Sequence, residues 1–262
     1  MKVFAIANQK GGVGKTSIAV NLTATLAHYG QRALLIDLDP QGNATTGSGI
    51  DKNSLEKSLY GVLLGEYDVS DARVKASGNY DVLPANRELA GAEIELIQIE
   101  RREFRLKEAL ALIAADYDYA LIDCPPALNM LTVNALTAAD AVIIPMQCEY
   151  YALEGLSDLV GTLRKVKANL NPKIEIEALV RTMYDPRSSL TTQVSDEIKS
   201  HFGDKVFDTV IPRNIRIAEA PSFGKPVIMH DPTSRGAVAH FAFARELLGR
   251  QGVVLPDAIK PQ

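Results

Sequence analysis

Short apolar runs recur along the chain, and most are followed by a stretch with helical spacing. Val3–Ala7 is an apolar run of strand length that opens onto a glycine-rich loop. Beyond it, Ile18, Leu22 and Leu26 recur every four residues, predicting a helix from about Lys15 to Tyr29 with Gly30 as its stop. Ala33–Ile36 predicts a second strand, leading into DLDPQGN and a loop rich in Gly, Thr and Asn to about Gly49. Leu55–Leu64 reads as helix, Tyr80–Leu83 as a short strand closed by Pro84, and Arg87–Ile99 and Glu103–Ala114 as two helices. Tyr119–Ile122 and Ala141–Pro145 read as buried strands, and Leu153–Leu170 as a long helix. Ile174–Thr182 reads as strand, Thr191–Phe202 as helix, Val206–Ile211 as strand and Gly236–Leu248 as the closing helix.

Apolar strands alternating with helices predict an α/β fold, a mostly parallel twisted sheet with helices on both faces. With no repeat, low-complexity segment or Pro/Gly/Ser linker, 1–250 reads as one domain and 251–262 as a loose tail. At 262 residues, 47% hydrophobic and 23% charged, the chain can bury a sizeable core. It has no long uninterrupted apolar segment and no signal-peptide pattern, and its two cysteines fit a reducing, cytoplasmic setting without a membrane span. The net charge of −4 argues against a generally basic nucleic-acid binder. The charge is uneven, however: residues 151–262 carry 15 Lys+Arg against 13 Asp+Glu. Any affinity for DNA therefore belongs to a local patch in the C-terminal half.

The junction of the first strand and helix reads QKGGVGKTS. Strand, glycine loop, then Lys-Thr at the start of a helix is the context of a phosphate-binding loop. Gly11, Gly12, Val13 and Gly14 can turn their N–H groups toward anionic oxygens, and the helix N-terminus adds partial positive charge. Lys15 can reach β- and γ-phosphates, the Thr16 hydroxyl can ligate Mg²⁺, and Ser17 offers a second hydroxyl. The spacing is not that of a dinucleotide loop, G-x-G-x-x-G. Asp123 follows an apolar strand as a carboxylate that supports the metal does. Asp37 and Asp39, two apart at a strand end, are expected on the same side and facing the nucleotide. Lys10 has two readings. It is either a solvated loop lysine or a group reaching a nucleotide held by a second copy of the chain. Met183 either packs on a base or ends a strand in the core.

KGGVGKT resembles the deviant Walker A box of the MinD/ParA/nitrogenase-iron-protein superfamily of P-loop NTPases, although Gln9 stands where the strict pattern has glycine. ANQKGGVGKT, DLDPQGN, DCPP, EYYALEG, TMYD, IPRN and RIAEAPSFGKP extend the resemblance over nearly the whole chain, toward the ParA/Soj partition branch. That resemblance implies an ATP- and Mg²⁺-dependent ATPase whose subunits close face to face as a homodimer, with Lys10 crossing to the partner's nucleotide. It implies that Asp39 positions the attacking water, that Asp37 supports the magnesium shell, and that Pro212 and Asn214 lie at the base. It makes DPQGNATTG switch I and Cys124–Asn134 switch II. It also implies non-specific binding of double-stranded DNA by the ATP dimer, stimulation of hydrolysis by a ParB-like partner, and association with the nucleoid.

For the DNA face the candidates are Arg213 and Arg216, then Lys199, Lys225 and Arg235; between 209 and 250 six basic residues meet three acidic ones, and Lys199 lies before that stretch. The first strand starts at Lys2, so no N-terminal helix-turn-helix is expected. Two rival functions are weaker on the residues. A MinD-like membrane helix needs a basic amphipathic C-terminus, whereas GRQGVVLPDAIKPQ has a central proline and little charge. A cluster shared between subunits needs two cysteines per chain, but Cys124 directly follows Asp123, out of the iron-protein spacing.

Overall fold

From the N-terminus the chain runs β1 (Lys2–Ile6), α1 (Lys15–His28), β2 (Ala33–Asp37), α2 (Asn43–Gly47), α3 (Leu59–Leu64), β3 (Val74–Lys75), β4 (Asp81–Leu83), α4 (Leu89–Glu95) and α5 (Arg105–Leu112). It continues through β5 (Tyr119–Asp123), α6 (Met130–Ala138), β6 (Ala141–Gln147), α7 (Ala152–Asn169), β7 (Glu175–Tyr184), α8 (Ser189–Phe202), β8 (Val206–Pro212), α9 (Ile215–Glu219), α10 (Val227–His230) and α11 (Arg235–Arg250). This computed structural model describes residues 1–150 and 152–255, so the end of the tail expected at 251–262 lies outside the described residues from 256 on. Within it, Val253 donates its amide to Leu248 O and packs with Leu255 against the core.

The eight strands form one sheet in the order β3-β4-β2-β5-β1-β6-β7-β8. Every pairing is parallel except that of β3 with β4. The pleat explains the apolar runs. Val3 and Ala5 of β1 enter one core while Phe4 and Ile6 enter the other, so both faces are buried and no polar residue is tolerated between them. In β2 and β5 all five residues are buried, which leaves Asp37 and Asp123 at their ends as charges inside the protein. Helix α1 is buried well beyond one stripe, because it touches the sheet and α2, α10 and α11. Its Thr23 and Thr25 hydroxyls escape isolation by donating to Ala19 O and Asn21 O one turn back.

The structure departs from the expected elements where local chemistry or packing overrides the pattern. The loop after Asp39 contains α2, and the stretch expected as switch II contains α6. Helix α6 buries Leu131, Thr132, Asn134, Ala135, Leu136 and Thr137, so no single apolar stripe marks its period; Asn129 caps it by accepting the Thr132 amide at 3.1 Å. Only Leu59–Leu64 of the segment expected as helix from Leu55 is helical, because the Ser58 amide is taken by the Tyr67 hydroxyl. β3, α9 and α10 are too short to show a period.

Candidate active site

The loop between β1 and α1 lies at the C-terminal edge of the sheet, where β1 is flanked by β5 and β6. Asn8 fastens its start, donating Nδ2 to Pro145 O at 2.8 Å and accepting the Lys10 amide at 3.0 Å. Gly12 (φ 74°) and Gly14 (φ 90°) hold left-handed conformations that an L side chain would strain. Gly14 caps α1 without a side-chain acceptor, so the first-turn amides of Lys15, Thr16 and Ser17 stay open to an outside anion. The Val13 side chain is buried, leaving its backbone amide as what it offers. Lys15 is 8% exposed and donates Nζ to Lys10 O at 3.1 Å across the loop. Lys10 itself is at the surface, its Nζ 2.6 Å from Glu149 Oε2 just past β6. Both partners are about half exposed, so the pair contributes only about 0–1 kcal/mol and leaves Lys10 free to exchange partners.

Beneath the loop, Asp37 and Asp123 are register partners on adjacent strands, and both are fully buried. Their situations differ. Asp37 Oδ2 accepts both the amide and the hydroxyl of Thr45 at 2.7 Å, and Oδ1 accepts the Asp39 amide at 3.3 Å. Neither carboxylate oxygen of Asp123 has a hydrogen-bond partner of normal geometry, although the Thr16 hydroxyl is near enough to ease its charge. Burial pushes Asp123 well above the usual carboxylate range, and Asp37 adds to the rise. Burial holds the Lys15 ammonium below its usual value, while Asp123, Cys124 and Asp39 pull it back up. An orphaned buried carboxylate beside a hydroxyl and open amides fits a hard, oxygen-seeking cation that keeps most of its own water and phosphate ligands. No group of three or more His, Cys, Asp or Glu able to cage a metal exists among the described residues. Asp37, expected in the metal shell, accepts from Thr45 and so ties the end of β2 to α2. Asp39 lies one residue beyond the buried Leu38, its Oδ1 accepting the Gln41 amide at 2.9 Å.

Burial, opposed by the hydrogen bonds from Thr45 and Asp39, pushes Asp37 up to about 6. The folded protein thus binds this proton more tightly than the unfolded chain, whose Asp titrates near about 3.9. The resulting stabilisation is complete below about pH 4 and is lost as pH rises through about 6. In nucleotide- and magnesium-free protein, Asp37→Asn is expected to melt roughly 2–4 °C higher than the parent at neutral pH and above. The gap should shrink toward acid pH; a gap independent of pH would contradict the assignment.

Beside the loop a cleft of about 510 Å³ is lined by Thr16, Ser17, Met183, Pro212, Asn214 and Lys225, among others. Met183 is not a core residue: it is 36% exposed and left-handed at φ 48°. Asn214 faces the cleft but its Oδ1 also accepts the amides of Arg216 and Ile217, capping α9. Of the basic candidates, Arg213 and Lys225 reach the cleft wall, and Arg235 opens α11, which packs on α9. Arg216 is paired with Glu219 at 2.8 Å and Asp231 at 3.3 Å. Lys199 stands apart on α8. Its partner Asp208, 3.6 Å away, is five residues before Arg213 on β8, roughly 16 Å along a strand. The sequence reading missed Thr45, Asn43, Thr46, Gln147 and Thr182, which touch the carboxylates, the cleft or the loop. Asn43, Thr45 and Thr46 lay within DPQGNATTG, the stretch expected as switch I, and Thr182 beside Met183 in TMYD, whereas Gln147 had no signal. Cys124 and Cys148 are buried free thiols.

The chain is similar in sequence and fold to known proteins. A family profile described as an AAA domain matches residues 1–176. The chromosome partitioning protein ParA of Caulobacter vibrioides is 55% identical over 254 residues, covering 96% of this chain and 95% of that protein. The sporulation initiation inhibitor protein Soj of Bacillus subtilis is 55% identical over 248 residues, covering 94% and 98% respectively. A crystal structure of cobyrinic acid a,c-diamide synthase from Mycobacterium smegmatis, with bound ATP analogue and magnesium, superposes with a TM-score of 0.84 at 38% identity, covering 98% of both chains. No helix of the described residues is long and apolar enough to cross a membrane.

Proposed function

The chain belongs to the ParA/Soj family of chromosome-partitioning ATPases, and from that premise we propose that ATP closes two copies into a homodimer that holds DNA until hydrolysis frees it. The observation that carries this reading is Asp123, a fully buried carboxylate with no hydrogen-bond partner of normal geometry among the described residues, placed beside a phosphate loop whose helix start has no side-chain cap. In this reading the α1 amides and Lys15 hold the β- and γ-phosphates, while Thr16 and Asp123 hold Mg²⁺. The metal, when bound, neutralises charge on the phosphate oxygens. Asp39 orients water, and its position in the loop between β2 and α2 lets it move with that loop. Lys10 exchanges its surface pairing with Glu149 for the partner's nucleotide. Met183, Pro212 and Asn214 flank the base.

The DNA face in this reading is sequence-independent, built on contacts to phosphate, and doubled by dimerisation. It would place the ATP form on the nucleoid, and a ParB-like protein would accelerate release. The test is sizing together with DNA retention, with ADP, ATP or no nucleotide; only ATP should give a dimer that retains DNA. A protein that stays monomeric with saturating non-hydrolysable analogue refutes the scheme. Within the patch, Lys225 and Arg235 make no ion pair among the described residues, whereas Glu219 and Asp231 already share the charge of Arg216. Lys225→Ala or Arg235→Ala should therefore weaken retention uniformly across sequences and lower the salt slope by about 1 per site. Arg216→Ala should do the same to a smaller extent, and ATP-driven dimerisation should survive in all three. Loss of dimer and DNA together would mark the patch as structural.

A further inference from the structure

The ends of β6 and β7 meet the phosphate loop with two side chains that no local motif connects to it. Thr182, 3% exposed, donates Oγ1 to Val13 O at 2.7 Å. Gln147 donates Nε2 to Gly12 O at 3.0 Å. Gln147 and Thr182 are register partners on neighbouring parallel strands, so their side chains leave the sheet side by side. They take the carbonyls of two consecutive loop residues.

A peptide unit is planar and trans, so its C=O and N–H point in opposite directions. Drawing Gly12 O toward Gln147 turns the Val13 amide away from the sheet edge. Drawing Val13 O toward Thr182 does the same to the Gly14 amide. The left-handed Gly12 and Gly14 on either side permit this arrangement without a clash of their own. Gln147 Nε2 also lies 2.8 Å from Met183 Sδ, and so joins the loop to the wall of the cleft.

We propose that Thr182 and Gln147 are positioning residues that fix the phosphate-loop carbonyls of Val13 and Gly12, and thereby aim the loop amides at the phosphates of a nucleoside di- or triphosphate. The inference rests on this loop being the phosphate site. Thr182 acts through a hydroxyl whose methyl neighbour fills buried space, so Thr182→Val removes the donor and keeps the shape. Gln147 sits at the partly exposed strand end, where Gln147→Leu removes the donor without opening the core.

The experiment is calorimetric titration of the full chain with ATP and with ADP in magnesium, beside melting curves without nucleotide. Thr182→Val should weaken both nucleotides roughly tenfold, the scale of one misdirected hydrogen-bonding group. Thr182→Ser, which keeps the hydroxyl, should recover affinity to within about twofold on the same scale. Gln147→Leu should weaken both nucleotides by a smaller factor and melt without nucleotide at the parent's temperature, while Thr182→Ser, which loses a buried methyl, should melt lower by only a few degrees, about the cost of one methyl. Parental affinity in both Thr182→Val and Gln147→Leu overturns the proposal. So does a serine variant as weak as the valine one, since packing alone would then explain the loss. If Thr182→Val fails to fold, Gln147→Leu decides: weakened binding supports the proposal and parental binding overturns it. Lys15→Ala separates the two levels. If it binds ATP as the parent does, the loop is not the phosphate site and the underlying reading falls first, taking this one with it.

Discussion

Replacing Lys15 with alanine is expected to remove ATP turnover, lowering it by at least about 100-fold and weakening nucleotide binding as well. Lys15 is a buried cation, 8% exposed, whose charge is supported by Asp123 and by Asp39. Burial works against its charge, and Asp123 is the largest influence restoring it, so the pair is mutually dependent. Without the ammonium, a triphosphate would approach a buried Asp123, a buried Asp37 and the nearby Asp39 with no positive side chain between them. Like charges in so dry a setting repel strongly. Phosphate release measured at saturating ATP, with a parallel ATP titration, checks the prediction. Turnover within a few-fold of the parent would mean that the phosphates lie elsewhere. Lys15→Arg should not rescue it, because the loop encloses a compact ammonium that donates to Lys10 O and leaves little room for a planar fork.

The second large effect is expected from Asp39→Ala: turnover should fall about 100-fold or more while ATP still drives dimer formation and DNA retention. The structure gives a reason for this separation. Asp37 secures the end of β2 and, through Thr45, the helix α2. Asp39 comes after that anchor, and its side chain accepts only the Gln41 amide two residues on. Removing its carboxylate leaves Asp37, Asp123, Lys15 and the loop amides in place, so binding should persist where water activation does not. The checking measurement is phosphate release alongside sizing with ATP. Normal hydrolysis would place the water-positioning group elsewhere, and loss of the dimer would make Asp39 a structural residue of the loop.

The register contact between Asp37 and Asp123 shows where reading along the chain reaches its limit. From residue order alone the three aspartates look equivalent, each at or just after a strand end. Pairing β2 with β5 places two of them side by side in the interior, and the donors that reach Asp37, the amide and hydroxyl of Thr45 and the amide of Asp39, distinguish them. Asp37 is thus held by donors from its own following segment, while Asp123 has no donor of normal geometry among the described residues. The basic residues divide in the same way. Arg216 stood near the head of the DNA candidates by charge, but α9 brings it to Glu219 and the following turn brings it to Asp231. Lys199 was a second-line candidate beside it, and α8 lays it along the other end of β8.

What the order of residues determined by itself is the alternation of apolar strands and helices, the position of the glycine loop, and the chemistry of Lys15 and Thr16 at a helix start. These are local facts: a pleat of two residues, a helical turn of about 3.6, and glycines that admit left-handed φ. The tertiary structure alone decided which carboxylate is left without a partner, which basic groups are already neutralised, and that Gln147 and Thr182 grip the carbonyls of Gly12 and Val13 from more than a hundred residues away. Those outcomes depend on strand order and register, which are set when distant apolar segments bury one another and which leave no periodic trace in either partner.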